Sequence, residues 1–181
     1  QSVTVVTEKL LDDRRIDTLK EALKNTSGVT FLAAEGGEED IRLRGFSLAQ
    51  TGDIYLDGMR DPAFYDRDNF NLDRIEVLRG SASMLFGRGS TGGAVNQASK
   101  EPHLMDENQI DVTVGSFDYK RLEADVNKVL GESSALRLTA MHTKADNNGA
   151  GSSIDKSGLA LAVRTGIGME HELQAQVTYL N

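Results

Sequence analysis

The residues best suited to chemistry in this 181-residue chain crowd into one glycine-rich stretch, Arg79–Asn96 (RGSASMLFGRGSTGGAVN). Within it, Gly87-Arg88-Gly89-Ser90-Thr91-Gly92 spells G-x-G-x-x-G, the spacing with which a turn at a helix N-terminus cradles a pyrophosphate. That chemistry requires a strand directly before the turn and a helix directly after it. Here a helical turn is expected before it, at Ala82–Phe86, and the β-like run Ala94–Ser99 follows. No Lys stands in Walker spacing either. The stretch therefore reads as a tight loop that exposes its backbone, and a nucleotide-dependent oxidoreductase resting on it is a weak third reading.

Other reactive side chains are scattered. His103, His142 and His171 share no metal-ligand spacing. Asp146-Asn147-Asn148-Gly149 lacks the Gly–Glu register of a calcium loop and suits a polar hairpin. Glu35, Glu38, Glu39 and Asp40 form a solvated acidic run. Ser and Asp are plentiful, but there is no G-x-S-x-G elbow and no paired His, so a hydrolase is unsupported. Asn25-Thr26-Ser27 matches a glycosylation acceptor, a common chance occurrence. The expectation is no catalytic residue, no metal site and no resident cofactor.

Charge and composition narrow the classes further. Asp and Glu number 28 against 20 Lys and Arg, for a net charge of -8, and no basic block is present. Phosphate contact needs clustered Lys and Arg, so nucleic acid is not an expected partner. With no cysteine, disulfide scaffolds and thiolate metal sites are excluded. No stretch approaches the roughly 18 apolar residues of a membrane helix. Barrel strands, each only weakly hydrophobic, would pass that filter unseen.

The elements that must hold these residues fall into two textures, divided near Pro102. Before it, Ser2–Thr7, Val29–Ala33, Ile41–Arg44, Ile54–Leu56, Ile75–Leu78 and Ala94–Ser99 read as short strands. Asp57-Gly58 is a hairpin-turn signal. Asp13–Asn25 carries Ile16, Leu19, Ala22 and Leu23 at helical spacing, ending near Gly28. After Pro102 the period becomes two. Ile110, Val112 and Val114, then Leu122, Ala124 and Val126, then Leu136, Leu138 and Ala140, alternate with polar residues. Leu159, Leu161 and Val163, and Ala175, Val177 and Tyr179, continue the pattern. Gly115-Ser116, Gly131-Glu132, Asn147–Ser153 and Gly166–Glu170 separate the sets, as in an antiparallel meander.

Taken in order, these segments resemble a family. Ser2–Leu11, Ile41–Phe46 (IRLRGF), Asp53–Arg60 (DIYLDGMR), Arg74–Gly80 (RIEVLRG) and Leu85–Lys100 (LFGRGSTGGAVNQASK) recur in this order in the plug domain of TonB-dependent outer-membrane receptors. No single segment decides the matter; the ordered set over a hundred residues is specific. Two departures stand out: Ser81 where the family usually has proline, and Gln97-Ala98 in place of its usual apolar pair. The resemblance implies an α+β fold, with a mixed-sheet plug domain and short helices over residues 1–102. Residues 103–181 would be an antiparallel β-meander from an incomplete 22-stranded transmembrane β-barrel. At roughly 9–11 residues per strand, such a barrel needs about 200 residues for its strands alone. About 79 follow Pro102, so a plug with five or so barrel strands is expected, without the TonB box that precedes the plug in the family.

The resemblance also implies a function: binding a ferric siderophore at the bacterial outer membrane and importing it with TonB, driven by proton-motive force. Arg44-Gly45-Phe46 and Arg67–Arg74 (RDNFNLDR) are nearest to the catecholate branch. The partners would be a ferric siderophore, TonB and outer-membrane lipid. By the same resemblance, Arg44, Phe64, Tyr65, Arg67 and Phe70 are the candidate ligand-binding residues. The chemistry agrees: tris-catecholate iron is anionic and suits arginine, and aromatic faces can pack on its rings. Against this, Arg44 and Arg79 could instead pair with acidic residues of plug or barrel. The rival from another class is a soluble β-rich adhesion or carbohydrate-binding module.

Overall fold

The computed structural model describes residues 2–14, 18–24, 29–33, 39–43, 46–48, 54–61, 68–79, 93–146 and 153–181. They form two compact units, Gln1–Ser99 and Lys100–Asn181.

The first unit is built on a five-stranded sheet. β1 (Ser2–Thr7) is a run of β-branched residues at one edge of the sheet. It shares the sheet with β5 (Ile54–Leu56), β6 (Met59–Arg60), β7 (Leu72–Arg79) and β8 (Gly93–Ser99), in the order β1-β7-β8-β5-β6. β7 runs antiparallel to both β1 and β8, while β5 pairs parallel to β8. The sheet is therefore mixed. β2 (Val29–Ala33), β3 (Glu39–Leu43) and β4 (Phe46–Ser47) form a second, antiparallel sheet. Asp57 and Gly58, at φ 51 and 78, close the β5–β6 hairpin. Two successive positive φ angles match strand twist, which is why the Asp-Gly pair stands there.

The helical stripe resolves differently from its sequence reading. Instead of one helix over Asp13–Asn25 there are two short ones, α1 (Glu8–Asp13) and α2 (Leu19–Leu23). Thr18 separates them: its backbone is extended, at φ -125 and ψ 156, and its hydroxyl accepts the Glu21 N–H. A β-branched residue with a free hydroxyl favours this N-cap geometry over a helix interior. The stripe still does its work, since Leu19 and Leu23 are fully buried with Ile75, Val77 and Val95 of the sheet.

The second unit is a plain meander. β9 (Glu107–Val114), β10 (Lys120–Val129), β11 (Ser134–Asp146), β12 (Ser153–Thr165) and β13 (Leu173–Leu180) pair antiparallel in sequence order. Register sets the faces. Val112 pairs with Leu122, Ile110 with Ala124, Ala124 with Ala140, Ala140 with Leu159, and Leu159 with Tyr179. One face therefore carries the whole expected apolar set, and the other carries Arg121, Glu123, Asp125 and Arg137.

Burial is inverted relative to a soluble sheet. On the apolar face Ile110 and Val177 are each 72% exposed, whereas on the polar face Asn127 is 1% and Arg121 3% exposed. On β10 the apolar run is flanked on its own face by Lys120 and Lys128. Eight residues at about 3.4 Å give roughly 27 Å along the strand. At a tilt of about 40° this spans roughly 21 Å, close to the apolar band of an outer-membrane barrel.

Candidate functional site

Of the five candidate ligand residues, Arg44, Phe64, Tyr65 and Arg67 lie outside the described residues, as do Ser81 and residues 87–92. Phe70 is described and is only 6% exposed. Its N–H donates to Asp68 Oδ1 at 2.9 Å, an Asx turn. Asp68 also forms a bridge with Thr18, the N-cap of α2. On either side of the glycine-rich segment, β7 and β8 pair antiparallel, with Arg79 opposite Gly93. A dinucleotide site needs a parallel crossover through a helix, so that reading loses its scaffold.

The β5–β6 hairpin, which precedes residues 62–67, is held by a polar lattice. Ser99 donates its N–H and its hydroxyl to the two oxygens of Asp57, and Gly58 N–H donates to Asn96 Oδ1 at 3.1 Å. Asn96 Nδ2 in turn donates to Glu76 Oε2 at 3.1 Å, and Arg74 Nε donates to Glu76 Oε1 at 2.9 Å. Burial alone would raise the Glu76 pKa, but the Asn96 and Arg74 hydrogen bonds outweigh it and hold the carboxyl below its ordinary value. The Gln97 departure is absorbed here as well. Its side chain is 3% exposed, and Nε2 donates to Tyr55 O at 3.4 Å and Asp61 Oδ2 at 3.5 Å. A buried amide with partners is tolerable where an unpartnered one is costly.

In the second unit the polar face holds the leading segment Lys100–Asp106. Arg137 grips Asp125 with Nε at 2.9 Å and Nη2 at 2.6 Å, while Lys100 Nζ lies 3.2 Å from the same carboxylate. Arg137 Nη1 also donates to Glu101 O at 3.0 Å. Asn127 accepts the His103 N–H at 3.0 Å and donates to His103 O and Met105 O at 2.7 and 2.6 Å. None of these was singled out as a site from sequence; the only signal was the charge at alternating positions of β10 and β11. Among the described residues no group of three or more His, Asp or Glu is arranged to hold a metal ion. No described helix is long and apolar enough to cross a membrane, which says nothing about strands.

The TonB-dependent Receptor Plug Domain family matches residues 1–94. The chain belongs to the TonB-dependent receptors. It is 34% identical over 172 residues to the probable TonB-dependent receptor BfrD of Bordetella pertussis, covering 92% of this chain and 23% of that protein. It is 33% identical over 187 residues to the catecholate siderophore receptor Fiu of Escherichia coli K12, covering all of this chain and 24% of Fiu. The closed-form crystal structure of Fiu superposes with a TM-score of 0.92 at 31% identity, over 99% of this chain and 26% of that one. The siderophore receptor PiuA of Acinetobacter baumannii gives 0.91 at 30% identity, again over 99% and 26%. The chain thus spans about a quarter of the length of the relatives it matches. TonB-dependent receptors are outer-membrane transporters and not enzymes. An apolar-out sheet is what a TonB-dependent receptor presents to lipid, and it runs against the soluble adhesion or carbohydrate-binding reading.

Proposed function

We propose that this chain serves in an outer-membrane receptor that binds a ferric siderophore of the catecholate type and imports it by TonB-coupled, proton-motive-force-driven transport. The observation that carries the reading is the inverted meander, apolar outside and polar inside, following a unit of the plug family. In this reading residues 1–102 are the plug, and residues 103–181 are the first strands of a 22-stranded barrel. The catecholate assignment is supported by the likeness to Fiu along the whole chain. Iron arrives as cargo within the siderophore, and no resident cofactor is invoked.

The plug would contribute Arg44, Phe64, Tyr65, Arg67 and Phe70 to the pocket floor. Arg44 faces the anionic complex, and Phe64 and Tyr65 pack on its rings. Phe70, being buried, contributes by positioning the residues beside it. Fluorescence-quenching titration of the folded receptor with a ferric catecholate tests this. A desolvated guanidinium on an anion contributes roughly 1.5–3 kcal/mol, so Arg44→Ala should weaken binding about tenfold to hundredfold. Arg88→Ala, in the glycine-rich sequence and outside the five candidate residues, should bind as wild type. Equal affinity for wild type and a stably folded Arg44→Ala would remove Arg44 from the site.

A further inference from the structure

The segment Lys100–Asp106 belongs to no strand, yet side chains from three successive strands hold it. Asn127, 1% exposed, engages both backbone groups of His103, so its amide substitutes for a neighbouring strand. Asp125 and Arg137 hold Lys100 and the Glu101 carbonyl, and Arg164 Nη1 reaches Glu101 Oε2 at 3.5 Å and Pro102 O at 3.4 Å. At the far end, where the segment runs into β9, Asp106 accepts the Val129 N–H at 2.8 Å and pairs with Lys128 at the margin of the apolar face. On the other side of the Ser99–Lys100 peptide, Ser99 donates its N–H and its hydroxyl to Asp57, inside the first unit. The boundary between the two compact units falls at that same peptide.

We infer that Lys100–Asp106 is a fixed anchor on the inner wall, and that Asp125, Asn127 and Arg137 are anchoring residues of the transport cycle. When the plug is displaced, the displacement ends at Ser99 and the segment after it stays docked. The inference rests on the transporter reading above. Its physical basis is the number and kind of bonds. The Lys100–Asp125 pair, the Arg137 Nη1–Glu101 carbonyl bond and the three Asn127 amide bonds must break together before the segment can leave, and the Asn127 amide would then be left buried without partners. The strand-paired wall therefore yields later than the plug's own loops.

The test uses the full-length receptor in cells. Asp106→Cys with Lys128→Cys, both at exposed positions, is bridged by a short bis-methanethiosulfonate that reductant removes. The bridged receptor should bind a ferric catecholate normally and import radiolabelled iron within about twofold of the reduced form. Normal binding with uptake blocked by the bridge and restored by reductant would overturn the anchor alone. Failure of the parent receptor to bind any ferric siderophore would overturn the transporter reading, and the anchor with it. A second variant works by loosening. Asn127→Ala should leave affinity unchanged, lower uptake several-fold, and make Pro102→Cys more reactive to maleimide only when TonB is present and energised. Unchanged uptake and TonB-independent labelling in Asn127→Ala would also overturn the proposal.

Discussion

Ser99 donates twice to one carboxylate: its N–H reaches Asp57 Oδ1 and its hydroxyl Asp57 Oδ2, each at 2.7 Å. Asp57 sits at φ 51, a conformation that costs a non-glycine residue energy unless its surroundings enforce it. Asp57→Ala keeps the strain and removes both bonds, so it should destabilise the protein by about 2–3 kcal/mol in denaturant unfolding. Asp57→Asn tolerates the left-handed region and keeps one acceptor oxygen, so its loss should be roughly half as large. Equal stability of wild type and Asp57→Ala would make the pairing incidental.

Glu76 gives the first unit an acid limit. Its folded pKa lies below the ordinary 4.5 because donors from Asn96 and Arg74 outweigh the burial that would raise it. A depressed carboxylate contributes stability in full above its unfolded value and loses it as pH falls through the folded value. Denaturant midpoints should therefore drop as pH falls below about 4.5. Glu76→Gln should show a flatter dependence over that window, with a lower plateau at neutral pH. Parallel profiles for the two proteins would sink the assignment.

These particulars show what could be read from residues alone. The Asp57-Gly58 turn, Ile54–Leu56 and the faces of the meander were legible, because turn chemistry and a period of two are local signals. The single helix was not, since Thr18 interrupts it by a cap and a bridge to Asp68, fifty residues away. Asn127 was illegible for a similar reason. Nothing in its neighbourhood marks an asparagine that will stand in for a strand beside His103. For the site, the order of the plug segments pointed to a family, but of its five candidate residues only Phe70 is described. The Asp57–Ser99 and Gly58–Asn96 contacts that hold the hairpin before the loop join residues about forty positions apart.

The β12–β13 turn offers a paired glycine test. Gly166 and Gly168 both have positive φ, at 73 and 77, but a Cβ at Gly166 would lie 2.1 Å from the His171 carbonyl oxygen. At Gly168 it would meet nothing within 4 Å. Gly168→Ala should thus cost only the backbone strain, about 1 kcal/mol. Gly166→Ala must in addition move the backbone of the turn, and should cost about 2–3 kcal/mol or more. Unfolding of both variants from detergent-folded receptor decides it. Similar losses would mean the turn rearranges freely.

The membrane face is tested by charge at one height on its two sides. Leu161 lies in a row with Val126, Leu138 and Val177 on the apolar face, midway along the Leu159–Val163 run of β12. Arginine there would face hydrocarbon, at a cost of roughly 2–4 kcal/mol near the bilayer midplane. Thr178 is a near neighbour on the polar face of β13, opposite Ala160. Thr178→Arg would face the wet interior and should cost well under half as much. Urea titrations of receptor folding into phospholipid vesicles would measure both. If Leu161→Arg folds as well as wild type while Thr178→Arg fails, the sheet has its faces reversed, and the exposed apolar side of this meander meets something other than lipid.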